Sequence, residues 1–371
     1  MPLFCQDSED FLWLGLRSVP GVGNVTFRRL LERFGSPAQV MSASAVELMS
    51  VKGVTHQSAN AIVNRSWESF ALQEAERLAR SAARLVTFTS REYPKSLFEI
   101  PDPPPFIYVR GNIPVNAVAV AIVGSRRATA YGVQATDRLS AELAQRGVVV
   151  VSGMARGVDT AAHKGALKGG GKTIAVLGCG VDRVYPSENR KLFDETAANG
   201  CLISEFPMGT MPLAENFPRR NRIISGIARG VLVIEAAENS GSLITAQYAL
   251  EQGRDVFAVP GNITFASCKG TNRLIKQGAK LVDCVEDILE ELPASLLTVA
   301  TPGGESASGS FALAPREAAI FELLARAPLH IDDIISQSEL TAGEVSSMLL
   351  HLELKGAVTA LPGAHYMVRA A

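Results

Sequence analysis

Between residues of about 84 and 291, short apolar runs alternate with amphipathic stretches of helical period. The runs Val118–Val123, Val148–Val151, Thr173–Leu177, Cys201–Ser204, Val231–Ile234 and Asp255–Val259 are apolar at consecutive positions, as strands covered on both faces must be. Between them, Tyr131–Gln145, Glu188–Ala198 and Ser242–Gln252 carry apolar residues at helical spacing. Doubly buried strands alternating with helices predict an α/β fold with a parallel sheet between two helical layers, an extended Rossmann-like, doubly wound sheet. Ligands of such sheets bind beyond the carboxyl ends of the strands, so the loops after the strands carry the functional weight.

The flanks have other patterns. Residues 1–80 read as short helices. Val19-Pro20-Gly21-Val22-Gly23 joins two of them, and Val51-Lys52-Gly53-Val54 is a weaker copy without the second glycine. Glycine hairpins between helices can offer backbone N–H groups to phosphates, so the segment is similar to a helix-hairpin-helix (SAM-like) pair. Residues 294–312 have the Gly, Ser, Thr and Pro content of a linker. Beyond it, in 313–371, helical patterns over Pro315–Ala327, Ile331–Gln337 and Thr341–Lys355 precede strands at Ala357–Leu361 and His365–Val368, the outline of a winged helix. The third of these helices carries Glu344 and Glu353 against one base, Lys355, which argues against groove reading and for a protein-contact or regulatory role.

Composition narrows the class. The chain has 371 residues and 47% hydrophobic content, enough for two or three domains. No apolar run reaches the roughly 18–20 residues of a membrane span, and the acidic, polar start is not a secretory signal, so a cytoplasmic protein is expected. Five scattered cysteines without a C-x-x-C and five dispersed histidines support no disulfide framework, metal site or cofactor.

The formal net charge is only -1, yet Asn216-Phe217-Pro218-Arg219-Arg220-Asn221-Arg222-Ile223-Ile224-Ser225-Gly226 holds three arginines and no acid. A local basic cluster on a neutral chain predicts an anionic partner bound at one place. The strand-end loops fit that partner: Ser125, Arg126 and Arg127; Gly153, Arg156 and Gly157; Ser240, Gly241, Ser242 and Thr245; and Gly270, Thr271 and Asn272 before a further helix. Glycine lets backbone N–H groups approach phosphate, hydroxyls donate, and each following helix presents its positive end.

Several motifs fail on inspection. No G-x-G-x-x-G follows the first strand and no acid follows the second, which disfavours a dinucleotide. Ala166-Leu167-Lys168-Gly169-Gly170-Gly171-Lys172-Thr173 looks like a phosphate loop but runs from helix to strand, the wrong order. Asp159 and His163 share a helix face without a nucleophile, and read as a cap and a surface or core histidine. Glu235 and Glu238 read as solvated or capping carboxylates.

Taken together, GSRRAT (124–129), SGMARGVDTAAHKGAL (152–167), VLGCGVDRVYPSENRKL (176–192), SEFPMGTMPLAENFPRRNRIISG (204–226), SGSLITAQYALEQGRDVFAVPG (240–261) and KGTNRLIKQGA (269–279) resemble the DNA-processing protein A family (DprA, also called Smf). The resemblance covers essentially the whole chain. It implies a non-enzymatic, homodimeric protein that binds single-stranded DNA, protects it during natural transformation and loads the RecA recombinase. It places the DNA on Ser125, Arg126, Gly153, Arg156, Gly157, Phe217, Arg219, Asn221, Arg222, Ser240, Gly241, Ser242 and Thr245. Arg126 and Arg222 are then expected to pair with phosphates and Phe217 to meet bases. The alternative on the same fold is similar to nucleoside-monophosphate phosphoribohydrolases. Their loop, P-G-G-x-G-T-x-x-E, ends on an acid where this chain has Thr245.

Overall fold

The structure is a computed structural model; it describes residues 9–292, 315–324, 329–338, 340–354, 358–361 and 364–368. The expected linker at 294–312, and Cys5 and Lys355, lie outside the described residues. The chain divides into two compact units, residues 1–300 and 301–371.

The first unit opens with six helices: α1 (Glu9–Ser18), α2 (Asn24–Phe34), α3 (Pro37–Ser42), α4 (Ala45–Met49), α5 (His56–Val63) and α6 (Glu68–Ala79). Gly21 in the first hairpin and Gly53 in the second have φ of 83° and 100°, the left-handed region that glycine enters at no steric cost.

There follow β1 (Ala83–Thr87), α7 (Lys95–Phe98), β2 (Phe106–Gly111), β3 (Ala119–Gly124), α8 (Ala130–Gln145), β4 (Val149–Ser152), α9 (Val158–Lys168), β5 (Thr173–Val176), α10 (Arg190–Ala198), β6 (Gly200–Ser204), α11 (Asn216–Ile227), β7 (Gly230–Ile234), α12 (Gly241–Glu251), β8 (Asp255–Ala258), α13 (Lys269–Lys276), β9 (Lys280–Leu281) and α14 (Glu286–Leu289). The nine strands form one sheet in the order β1-β2-β6-β5-β4-β3-β7-β8-β9. From β6 to β9 all pairs are parallel, as expected from the buried runs. The antiparallel strands β1 and β2 extend the sheet beyond β6.

The sheet is doubly wound. Val120 and Ile122 of β3 pack under α8 and α9 with Leu139, Leu143 and Ala162, whereas Ala121 and Val123 face Ile223 and Ile224 of α11 and Ala246 and Ala249 of α12. The N-terminal helices share a continuous core with the sheet: Trp13, Phe27 and Trp67 belong to the same cluster as Tyr108, Leu177 and Leu202. No helix among the described residues is long and apolar enough to cross a membrane. Cys179, Cys201 and Cys268 are buried free thiols.

The second unit contains α15 (Pro315–Leu324), β10 (Leu329–His330), α16 (Ile331–Gln337), α17 (Ala342–Leu354), β11 (Val358–Leu361) and β12 (His365–Val368), with the strands antiparallel in the order β10-β12-β11. Ile320, Leu324, Ile334, Val345, Leu349 and Leu352 form its core. This is the winged-helix outline; the short β10, which the apolar pattern does not mark, completes the sheet.

Candidate nucleic-acid interface

The loops after β3 and β7 and the first turns of α11 and α12 converge on a cleft of about 520 Å³ at the carboxyl edge of the parallel strands. Ser125, Arg126 and Arg127 form one wall; Phe217, Pro218, Arg220 and Asn221 form the second; Ser240, Gly241, Ser242 and Thr245 form the third.

The converging helix ends are not equivalent. The start of α8 is already served by a carboxylate: Glu235 accepts from the Thr129 amide at 2.8 Å and from the Thr129 hydroxyl. Asp159, in the first turn of α9, accepts from the Ala155 amide at 3.2 Å and so braces the loop before the helix, whose N-cap Gly157 has no side-chain cap; the expected capping role holds for Glu235 and not for Asp159. The start of α12 has no acid in its first turn; the Ser240 hydroxyl accepts from the Ser242 amide at 3.3 Å, and Asn221 Nδ2 donates to the Gly241 carbonyl at 3.2 Å. Its positive end therefore faces the cleft with no carboxylate in its own first turn.

Three arginines, Arg126, Arg127 and Arg220, line the cleft, beside the carboxylate of Asp159. Arg126 is exposed and lies over the Phe217 ring, 4.9 Å from its centroid. Arg220 is buried: Nη1 donates to the Gly153 carbonyl at 2.8 Å and to the Val176 carbonyl, and Nε donates to Asn221 Oδ1 at 3.2 Å. Burial pushes its guanidinium down to about 10 against the pull of Asp159, so it is charged at neutral pH. Gly153 is required here, because a Cβ would stand 2.5 Å from Arg220 Nη2. Phe217 is half-buried, 5.6 Å from the Tyr185 ring and packed on Gly178, where a Cβ would approach its ring to 2.9 Å.

Other expected residues stand elsewhere. Gly157, φ 72°, brings the β4–α9 loop against the β3 loop; a Cβ would meet the Ser125 carbonyl at 2.2 Å. Arg156 is exposed and paired with Glu188. Gly270 donates to the Ala236 carbonyl at 2.7 Å, Thr271 to the Cys268 carbonyl at 3.0 Å, and Asn272 brackets Gly261 with bonds of 3.1 and 2.9 Å; all three brace loops behind the cleft. Arg219 turns away from the cleft and lies over Phe206, 5.6 Å from the ring centroid.

Arg222, expected to pair with a phosphate, stands behind the cleft. Its side chain is buried, paired with the buried carboxylate of Glu205 and, through Nε, with Asp102 at 3.2 Å. Two carboxylates hold this guanidinium, and it is not among the residues that line the cleft. Its place in the cleft is taken by Arg220, two residues earlier. No sequence signal separates the two, because the answer depends on the rotation of α11 about its axis.

The family model of DNA recombination-mediator protein A matches residues 84–293. The chain belongs to that family. A SAM-like helix-hairpin-helix tandem matches residues 14–80, and the DprA winged helix domain matches 305–364. Among relatives, Protein Smf of Synechocystis is 34% identical over 98% of this chain and 100% of its own length. Protein Smf of Escherichia coli is 42% identical over 77% of this chain and 78% of its own. Among solved structures, DprA of Streptococcus pneumoniae superposes with a TM-score of 0.66 at 34% identity, covering 76% of this chain and 98% of that one. DprA of Helicobacter pylori, whose structure describes a single-stranded DNA binding mode, gives 0.51 at 33% identity, covering 56% and 94%.

Proposed function

We propose that this DprA/Smf family chain binds single-stranded DNA along the carboxyl edge of its sheet. The observation that carries the reading is the cleft itself: an exposed Arg126 stacked on Phe217, a buried and charged Arg220 beneath, and the acid-free start of α12 opposite. Guanidinium and helix end supply phosphate contacts, and the Arg126–Phe217 pair offers a planar face for a base. The Helicobacter pylori relative, described as binding single-stranded DNA, supports it.

The finer roles follow from family membership. In them the chain shields incoming DNA during natural transformation, loads the RecA recombinase and works as a homodimer, without catalysis. The phosphoribohydrolase alternative is not favoured: Thr245 stands where the acid belongs, and Glu235, the buried acid nearby, is spent on capping α8.

Salt dependence tests the reading. If three phosphates are neutralised, log K for a single strand against log salt has a slope of about -2. A flat plot would contradict a phosphate-dominated mode.

A further inference from the structure

A second cleft, of about 570 Å³, lies between α1 and α6 on one side and β2 and the segment after β6 on the other. Its volume is in the range of small-ligand sites, roughly 300–1,000 Å³. Five aromatic side chains line it: Trp67, Phe106, Tyr108 and Phe206, all buried, and Phe70, which is 38% exposed. Two arginines line it as well. Arg17 is half-buried, and neither it nor Arg219 has a hydrogen bond or ion pair among the described residues. Desolvation lowers the Arg17 guanidinium, with Glu205 the carboxylate whose field opposes this.

Glu205 completes the set. Its side chain is 5% exposed; Oε2 is taken by Arg222, and Oε1 is buried without a hydrogen-bond partner among the described residues. An acceptor left so costs free energy that an incoming donor recovers. An exposed aromatic face, two guanidinium groups without an ion pair and one unused buried acceptor are the complement of a nucleotide: a stacking base, a phosphate and a base N–H.

We propose that this cleft binds one nucleotide whose base carries an exocyclic amino group. The base lies against Phe70 and donates to Glu205 Oε1; the phosphate meets Arg17 and Arg219. Cytosine and the amino purines supply that donor. Thymine is disfavoured, because its one ring N–H lies between two carbonyls whose lone pairs repel a carboxylate. The nucleotide is either free or part of a strand leaving the first cleft. The first turns of α11 separate the two sites, with Phe217 and Arg220 on one side and Arg219 on the other. The strand form rests on the proposed function above; the free form does not.

The test uses the full-length chain at fixed ionic strength. Anisotropy is measured with labelled oligo-dC and oligo-dT, and calorimetry with dCMP and dTMP, for wild type, Arg17→Ala, Phe70→Ala and Arg126→Ala. Oligo-dC is expected to bind roughly fivefold or more tightly than oligo-dT, the scale of one stacked and hydrogen-bonded base. Phe70→Ala, at a partly exposed position, erases that preference, and so does Arg17→Ala. Arg126→Ala weakens both oligonucleotides and keeps their ratio. A dCMP heat lost in Arg17→Ala assigns the site to free nucleotides; no dCMP heat, with the oligonucleotide pattern intact, assigns it to the strand. Loss of the preference in Phe70→Ala with no effect of Arg126→Ala would overturn the first cleft and leave this one standing. Equal affinity for the two oligonucleotides together with no dCMP binding, or a Phe70→Ala variant unchanged in both assays, would overturn the proposal.

Discussion

The contrast between Arg220 and Arg222 shows how far a basic residue type is from a basic site. Both are buried, but one is held by carbonyls at the floor of a cleft and the other by two carboxylates behind it. Removing one partner of a buried ion pair strands the other charge, at a cost of about 3–5 kcal/mol. Arg222→Ala is therefore expected to lower the unfolding free energy by about 3 kcal/mol, with Glu205 left unpaired, while the folded fraction keeps wild-type affinity for single-stranded DNA. Urea denaturation and binding at low temperature separate the two effects. A stable variant with lost affinity would return Arg222 to the interface. The sequence shows that three arginines cluster; it does not show which is neutralised, because Asp102 and Glu205 stand outside α11 and meet Arg222 only in the fold.

At the scale of elements, legibility follows burial. Strands β3 to β8 are readable because consecutive positions are apolar on both faces. Strand β1 is not, since only Val86 of its five residues is buried, and β2 follows a run of prolines that masks its start. Helix α11 also escapes the pattern: Asn216, Arg220, Asn221 and Arg222 are buried polar residues, so the apolar period is broken where the function sits.

A buried polar contact on α9 gives a pH prediction. His163 Nδ1 lies 2.7 Å from the Thr173 hydroxyl, which itself donates to the Val150 carbonyl at 2.8 Å. The hydroxyl is thus an acceptor toward the ring, and Nδ1 carries the hydrogen. Desolvation, aided by Arg220, lowers the imidazole from its ordinary 6.5 to about 3. Between those values the unfolded chain binds a proton that the folded chain refuses, so this contribution is full above about 6.5 and is lost as pH falls. Acidification from pH 7 to 5 is expected to cost wild type up to about 2 kcal/mol more than His163→Gln, at about 1.4 kcal/mol per unit. Parallel stability curves for the two proteins would refute the assignment.

At the scale of the molecule, the proposed DNA cleft lies wholly within residues 1–300, and that unit has its own core. In the second unit the exposed positions of α17, among them Ser346, Ser347, Leu350, His351 and Glu353, carry no lysine or arginine. A chain ending at residue 300 is thus expected to fold and to keep its affinity for single-stranded DNA within about threefold, since few phosphate contacts are removed. Collapse of binding in that truncation, with the fold intact by circular dichroism, would show that the winged helix carries DNA contacts.

The central claim, a single-strand cradle at the strand ends, is tested most directly at Arg126, which is exposed and can be removed without opening the core. Anisotropy of a labelled mixed-sequence single strand is measured for wild type and Arg126→Ala, with unlabelled duplex of equal length as competitor. Loss of one charge-assisted contact predicts a weakening of about 1.5–3 kcal/mol in the variant, and a duplex that competes poorly. Unchanged affinity in Arg126→Ala, or equal competition by duplex, would contradict the account.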